Sequence, residues 1–323
     1  MFFRTLVAAS LIAYGIFGQT APRALAQAWP ERTVKIILPY APGGATDAIG
    51  RPWADKLTQA FGQQFIIENR GGASGTIGVE AAVKSPGDGY TFLLTPNSAI
   101  AIIPQLRRVS YDATRDLAPV GRVGDIVGGF VVHPSVGVKT MQELVAFAPK
   151  NPGKLQFGTP GIGTSVHLRL EMLKLRAGID IQNIPYRGSA DPLNDLLPGT
   201  VQMMNEIVVF PHVKAGKLIL LAVNHSERHW DFPDVPTLTE TGIKDADVPI
   251  WFAVFAPRGT PREIIAKLNT EMAEIARTDD MIAKMRAIGV SEPIQAPDEL
   301  RKHRADDLKA NLEVINAANI KLD

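Results

Sequence analysis

Short apolar runs alternate with segments of helical spacing along most of the chain, and the runs end in glycine, proline or asparagine. Val34–Leu38, Phe65–Glu68 and Tyr90–Thr95 are the first three. They are short, rich in branched and aromatic residues, and read as strands; Ala45–Phe61 and Thr76–Lys84 between them read as helices. Parallel neighbours need a crossover long enough for a helix, so this order predicts an α/β fold with a largely parallel sheet. Around Ala118–Val123 the chain leaves this first unit, and the pattern begins again. Strands are expected at Gly128–His133, Leu155–Gly158, Ile184–Tyr186, Val201–Met204 and Lys217–Val223. Helices are expected at Thr140–Ala148, after Ser165 with Leu168, Met172 and Leu175 on one face, and at Ala190–Leu197. The last third carries Ile250–Ala256, a Pro257–Pro261 turn and three helical segments. One of these bears an apolar stripe, Ile264, Ile265, Leu268, Met272 and Ile275; the last mixes Lys302, Arg304, Asp306, Asp307 and Lys309 and is expected to be a solvated face.

Ligands of open α/β sheets lie beyond the carboxyl ends of the strands. Four loops fall there: Pro42–Asp47, Gly71–Gly75, Pro96–Ser98 and Thr159–Ser165. The first and last are glycine-rich, open a helix and lie in different halves of the chain. A helix start carries unpaired N–H groups and about half a unit of positive charge, so an anion can be held there. Two such starts suit a molecule with an anionic group at each end. Backbone amides and the hydroxyls of Thr46, Ser98, Thr164 and Ser165 would meet the charge, without lysine or arginine. Asp47 would repel an anion if it pointed inward, and a loop-ordering cap is the favoured reading. His167 is the one histidine near a candidate loop; bonding to local backbone weighs slightly above ligand contact.

Enzyme motifs fail. Gly161-Ile162-Gly163 begins a dinucleotide fingerprint, but Val166 stands at the third glycine position. There is no Walker loop and no Gly-x-Ser-x-Gly elbow. His225-Ser226-Glu227-Arg228-His229 has its glutamate shifted from the metalloprotease position and reads as loop, so no metal and no cofactor are expected. The chain has no cysteine, which excludes thiol chemistry, and 34 basic against 33 acidic residues give no electrostatic reason to expect nucleic acid. At the N-terminus, Arg4, the uncharged Leu6–Phe17 run and Ala24-Leu25-Ala26 have the form of a secretory signal, so residues 1–26 are expected to be removed on export.

The same stretches resemble the Bug family, periplasmic solute-binding proteins of tripartite tricarboxylate transporters. The resemblance runs over nearly the whole mature chain. It rests on Trp29-Pro30, Pro42-Gly43-Gly44 with Thr46-Asp47, Glu68-Asn69-Arg70 with Gly72-Ala73, and Pro86-Gly87-Asp88-Gly89-Tyr90-Thr91. It continues through Asn151–Leu155, Gly161-x-Gly163-Thr164-x-x-His167-Leu168, Pro185–Gly188, Pro233–Thr237 and Ala256–Pro261. The resemblance implies a two-domain periplasmic-binding-protein fold of Venus-flytrap, type II-like form, with the ligand cleft between domains. The expected division is 27–124 plus 225–323 for domain I and 125–224 for domain II. It implies a small carboxylate, a dicarboxylate above all, held by amides, hydroxyls and water. One jaw would be Pro42, Gly43, Gly44, Ala45, Thr46 and Asp47, aided by Gly72, Ala73, Asn97 and Ser98. The other would be Thr159, Gly161, Gly163, Thr164, Ser165 and His167, with Tyr186 nearby. Two features depart from the family: Asn205 stands where an aspartate is common, and a tryptophan usual near Leu312 and Val314 is missing. If Asn205 faces the ligand, the amide removes a negative charge and adds a donor. The implied partners are the membrane subunits of the transporter, with the receptor itself a monomer and not an enzyme. A sensor feeding a membrane kinase, and an enzyme acting on a small carboxylate, are the alternatives.

Overall fold

The computed structural model describes residues 29–291 and 296–320, and the expected signal segment lies outside them. Eleven strands among the described residues form two sheets. The first holds β1 (Val34–Leu38), β2 (Phe65–Asn69), β3 (Thr91–Pro96), β4 (Leu117–Ile126), β10 (Trp251–Pro257) and β11 (Val290–Ser291), in the order β11-β4-β10-β3-β1-β2. The second holds β5 (Gly128–Val132), β6 (Gln156–Thr159), β7 (Gln182–Pro185), β8 (Met203–Asn205) and β9 (Ile219–Asn224), in the order β7-β6-β8-β5-β9. Helices of at least seven residues are α1 (Ala45–Phe61), α2 (Thr76–Val83), α3 (Met141–Phe147), α4 (Ser165–Ala177), α5 (Ala190–Leu196), α6 (Arg262–Ala276), α7 (Asp279–Ala287) and α8 (Pro297–Ala317).

The sheets are mixed, not largely parallel. β1 pairs in parallel with β2 and β3, and β6 with β7 and β8. β10 runs against both β3 and β4, and β5 against both β8 and β9. The reason is connectivity. The carboxyl ends of β1, β3 and β6 point at the opposite sheet. A strand arriving from that sheet starts where its neighbours end, so it runs the other way. β5 follows β4 after a single residue, Val127, and β10 enters after the long segment beyond β9. That segment packs on the second sheet: Thr237 bridges to Val223, Gln142 donates to the Thr241 carbonyl and Arg176 to that of Asp245.

Every residue of β10 is buried, as expected of a central strand covered on both faces. α6 buries Ile264, Leu268, Met272 and Ile275, four of the five expected stripe residues. Two expectations fail. Leu175 is 46% exposed, while Ser165–Leu170 of α4 is buried without a break. The start of α4 is wedged between the sheets, so position in the molecule overrides its amphipathic stripe. In α8, Arg304 and Asp307 are buried, not solvated. Leu300, Arg304, Asp307, Asn311 and Ile315 recur at helical spacing and form an inner stripe with a polar middle. Arg304 donates to the Ala113 carbonyl, and Asp307 accepts from Asn97 and Asn311.

α2 lies tightly against the end of β1. A Cβ on Gly78 would sit 2.5 Å from Pro39 Cα and 2.8 Å from the Arg70 carbonyl oxygen. Both neighbours are backbone and cannot swing aside. Gly78→Ala is therefore expected to lower stability by about 1–3 kcal/mol, as overpacking does. Urea unfolding measures this, and an unchanged midpoint would show that the helix can shift freely.

Candidate ligand-binding cleft

The loops after β1, β2, β3 and β6 meet between the sheets. Gly43 turns the first of them at φ +80°, and Gly44 caps α1 without a side-chain bond. The first amides of α1 therefore have no intrahelical acceptor and no side-chain cap. Across from it, α4 is capped by Thr164, whose Oγ1 accepts from the His167 N–H and donates to the Gly161 carbonyl. Gly161 (φ +137°) and Gly163 (φ +76°) hold conformations that favour glycine, which explains their place in the loop. The two sides touch. Ser165 Oγ donates to Asn97 Oδ1 at 2.8 Å, and Ser74 Oγ to the Ile162 carbonyl at 2.7 Å.

Between them lies a small cavity of about 30 Å³. Ala45 and Thr46 of α1, Ser98, and Thr164, Ser165 and Val166 at the start of α4 line it. Tyr40, Pro96, Ile126, Pro160, Ser189, Glu206, Ile250 and Phe252 complete the wall. Among the described residues no lysine or arginine lines this cavity, and Glu206 is its one acidic side chain. Tyr40 joins three of the loops: its hydroxyl bonds Ser98 Oγ at 3.2 Å and the Ser74 carbonyl at 3.1 Å. Burial pushes the Tyr40 phenol up to about 12, so it stays a neutral donor.

The remaining expected residues lie around the cavity, outside its wall. Pro42 and Gly43 are exposed, and Gly44 packs on Ser189 of the opposite side. Asp47 organises its loop: its carboxylate accepts from the Gly43 N–H, from Arg51 twice and from Asn69. Burial alone would raise its carboxyl, but the bonds from Arg51, Asn69 and Gly43 outweigh it and hold it below the ordinary value. Gly72 shapes the 71–75 loop, where the Ala73 carbonyl accepts from Arg107. Asn97 is fully buried, held by Ser165, Asp307 and the Pro249 carbonyl. Thr159 donates to Asn183 inside its own sheet. His167 accepts the Gly163 N–H at Nδ1, the backbone role preferred from sequence, and burial pushes its imidazole below the ordinary value. Tyr186 donates to Asp195. Asn205 is fully buried and accepts from Arg169.

Ser189, Glu206 and Arg169 are not among the residues expected from sequence. Arg169 is buried on α4; its Nε donates to the Val248 carbonyl at 2.8 Å and its Nη1 to Asn205 at 2.9 Å. Burial lowers its guanidinium to about 10 against the pull of Asp247, Glu206 and Asp125. Glu206 follows β8, a strand whose end reaches the cleft. That position beside Asn205 is the sequence signal that could have found it.

Two α/β sheets joined by two crossings, with facing helix starts at one closed cleft, define a solute-binding protein of the periplasmic-binding-protein type. The profile of the tripartite tricarboxylate transporter family receptor matches residues 49–320, and the chain belongs to that family. It is 35% identical over 322 residues to protein BugT of Bordetella pertussis, covering 97% of this chain and 98% of that one. Among solved structures, R. palustris Rpa4515 with adipate aligns with a TM-score of 0.87 at 34% identity, over 91% of this chain and 99% of the other. MatC (Rpa3494) from Rhodopseudomonas palustris with bound malate aligns at 0.84 and 26% identity, over 89% and 100%.

Asp47→Ala is expected to destabilise the protein by about 1 kcal/mol, because it removes the shared acceptor that ties Gly43, Arg51 and Asn69 together while those exposed or half-buried donors can turn to water. The folded carboxyl titrates below its ordinary range, so its contribution is complete above that range and is lost as pH falls through the lower folded value. Urea unfolding of both proteins over a pH series should show the gap closing in acid. A gap that persists undiminished would assign the effect to packing.

Proposed function

We propose that this protein is the periplasmic receptor of a tripartite tricarboxylate-type transporter, capturing a small carboxylate, with a dicarboxylate as its preferred class, and presenting it to the membrane subunits. The observation that carries the reading is the pair of helix starts, α1 and α4, facing one small cavity with Thr46, Ser98, Thr164 and Ser165 beside them. Amides and hydroxyls in a space from which water is excluded bind an anion by charge-assisted hydrogen bonds, which strengthen as the local dielectric falls. The adipate and malate named for two structural neighbours support this chemistry.

In this reading the first sheet and its helices form one jaw and the second sheet the other, in line with 27–124 plus 225–323 and 125–224. The contacts of 225–250 with the second sheet favour moving that segment to the second jaw. Residues 1–26 direct export, and the mature receptor works as a monomer.

Thermal unfolding of the mature chain against mono-, di- and tricarboxylates, adipate and malate included, tests the reading. A ligand at about 100 times its Kd adds about 2.7 kcal/mol. No shift with any member of the panel would overturn it. Gly44→Val sharpens the test, since a Cβ at Gly44 would already lie 3.2 Å from the Ser189 backbone nitrogen across the cleft. The larger side chain wedges the jaws apart, so affinity for a carboxylate that binds the wild type should fall at least about tenfold while the unliganded fold persists. Calorimetry measures this, and unchanged affinity would remove this contact from closure.

A further inference from the structure

Glu206 sits in the wall of the cavity between the two helix starts. It is 4% exposed. Its Oε1 accepts from Ser189 Oγ at 2.7 Å, while Oε2 is buried with no hydrogen-bond partner. Unpartnered buried polar atoms are rare and call for an explanation. The same cavity is lined by the starts of α1 and α4, with Thr46, Ser98, Thr164 and Ser165 among its residues. Glu206 and the two helix starts line the same small cavity, so a carboxylate held at those helix starts lies close to Glu206. Two carboxylates that share a dry site cannot both stay ionised; one takes a proton.

The surroundings decide which one. The ligand carboxylate faces helix-start amides, which favour its charged form. Glu206 receives one hydroxyl from Ser189, and the end of β1 offers it Tyr40, a neutral phenol. From α4 comes Arg169, whose guanidinium is bound to Asn205 and the Val248 carbonyl and also attracts Asp247 and Asp125. Burial pushes the Glu206 carboxyl up, while the Ser189 hydroxyl, Arg169 and the neighbouring Ile207 backbone N–H pull the other way.

We propose that Glu206 is a proton-carrying specificity residue: a carboxylate binds together with one solvent proton, which forms an O–H bond at Glu206 Oε2 and is donated as a hydrogen bond to a ligand oxygen. The proposal rests on the carboxylate reading above and adds a chemical filter to it. A ligand group that accepts a hydrogen bond is favoured at this wall, and a cationic ammonium is disfavoured.

The test is isothermal calorimetry of the mature chain with adipate, in buffers of different ionisation enthalpy, from about pH 6.5 to about pH 9. The expected result is uptake of about one proton per ligand, with affinity falling about tenfold per pH unit above the titration of the free Glu206 carboxyl. Glu206→Gln supplies a permanent neutral donor. Its proton uptake should vanish, its pH profile flatten, and its affinity at the alkaline end exceed that of the wild type. Should Glu206→Gln fail to fold, the wild-type proton count decides alone. Adipate binding with no proton exchange would overturn the proposal and leave the carboxylate reading standing. Preference for aspartate over adipate, abolished by Glu206→Gln, would also overturn it by assigning the residue to an ammonium. If no carboxylate binds the wild type at all, the carboxylate reading falls and this proposal with it.

Discussion

The buried guanidinium of Arg169 holds together the region where the two sheets exchange chain. It projects from α4 of the second half, bonds the Val248 carbonyl just before β10, and reaches Asn205 at the end of β8. The Ile126 carbonyl, at the end of β4, lies 3.5 Å from its Nη2. Both crossings and one cleft strand thus converge on one cation. A buried charge is tolerated only when its donors are satisfied, and three carbonyl-type oxygens do this here. The arrangement requires glycine at position 128, where a Cβ would stand 2.3 Å from Arg169 Nη1. The start of α4, which lines the cavity, is thereby fixed from behind.

The parts of the site legible in the sequence are those whose chemistry is local. Gly161, Gly163 and Thr164 announce a turn and a cap within a few residues, and Gly43, Gly44 and Asp47 do the same. Both loops can be recognised and paired from their residues alone. Glu206, Ser189 and Arg169 carry no such mark, because their roles come from contacts between segments far apart in the chain, on opposite sides of one cavity. The reversal of β5 and β10 is hidden for a related reason. A strand has the same apolar pattern in either direction, and its direction follows from where the chain has just been. α8 shows the opposite error: its charges suggest solvent, while the spacing of Leu300, Arg304, Asp307, Asn311 and Ile315 already describes one buried stripe.

The anion site proposed above also carries a carboxyl, and the two are not contradictory. Helix-start amides supply directional partial charge without a counter-ion of their own. A lysine or arginine would bind any anion strongly and with loose geometry. Amides, hydroxyls and a carboxyl that can hold a proton ask for a particular arrangement of acceptors. Tyr40, which ties the loops after β1, β2 and β3 to one another, keeps that arrangement from relaxing.

β4 and β5 are separated by Val127 alone, and even its N–H is bound, to the Gly289 carbonyl. The other crossing is pinned at Val248. Few torsions are left in either connection, so the sheets cannot slide past each other, and a hinge-like rotation is the inexpensive motion. Such a joint behaves like a door on two short leaves. On the receptor reading proposed above, opening the cleft would part Ser165 from Asn97 and Ser74 from Ile162 together, and closing would restore both contacts.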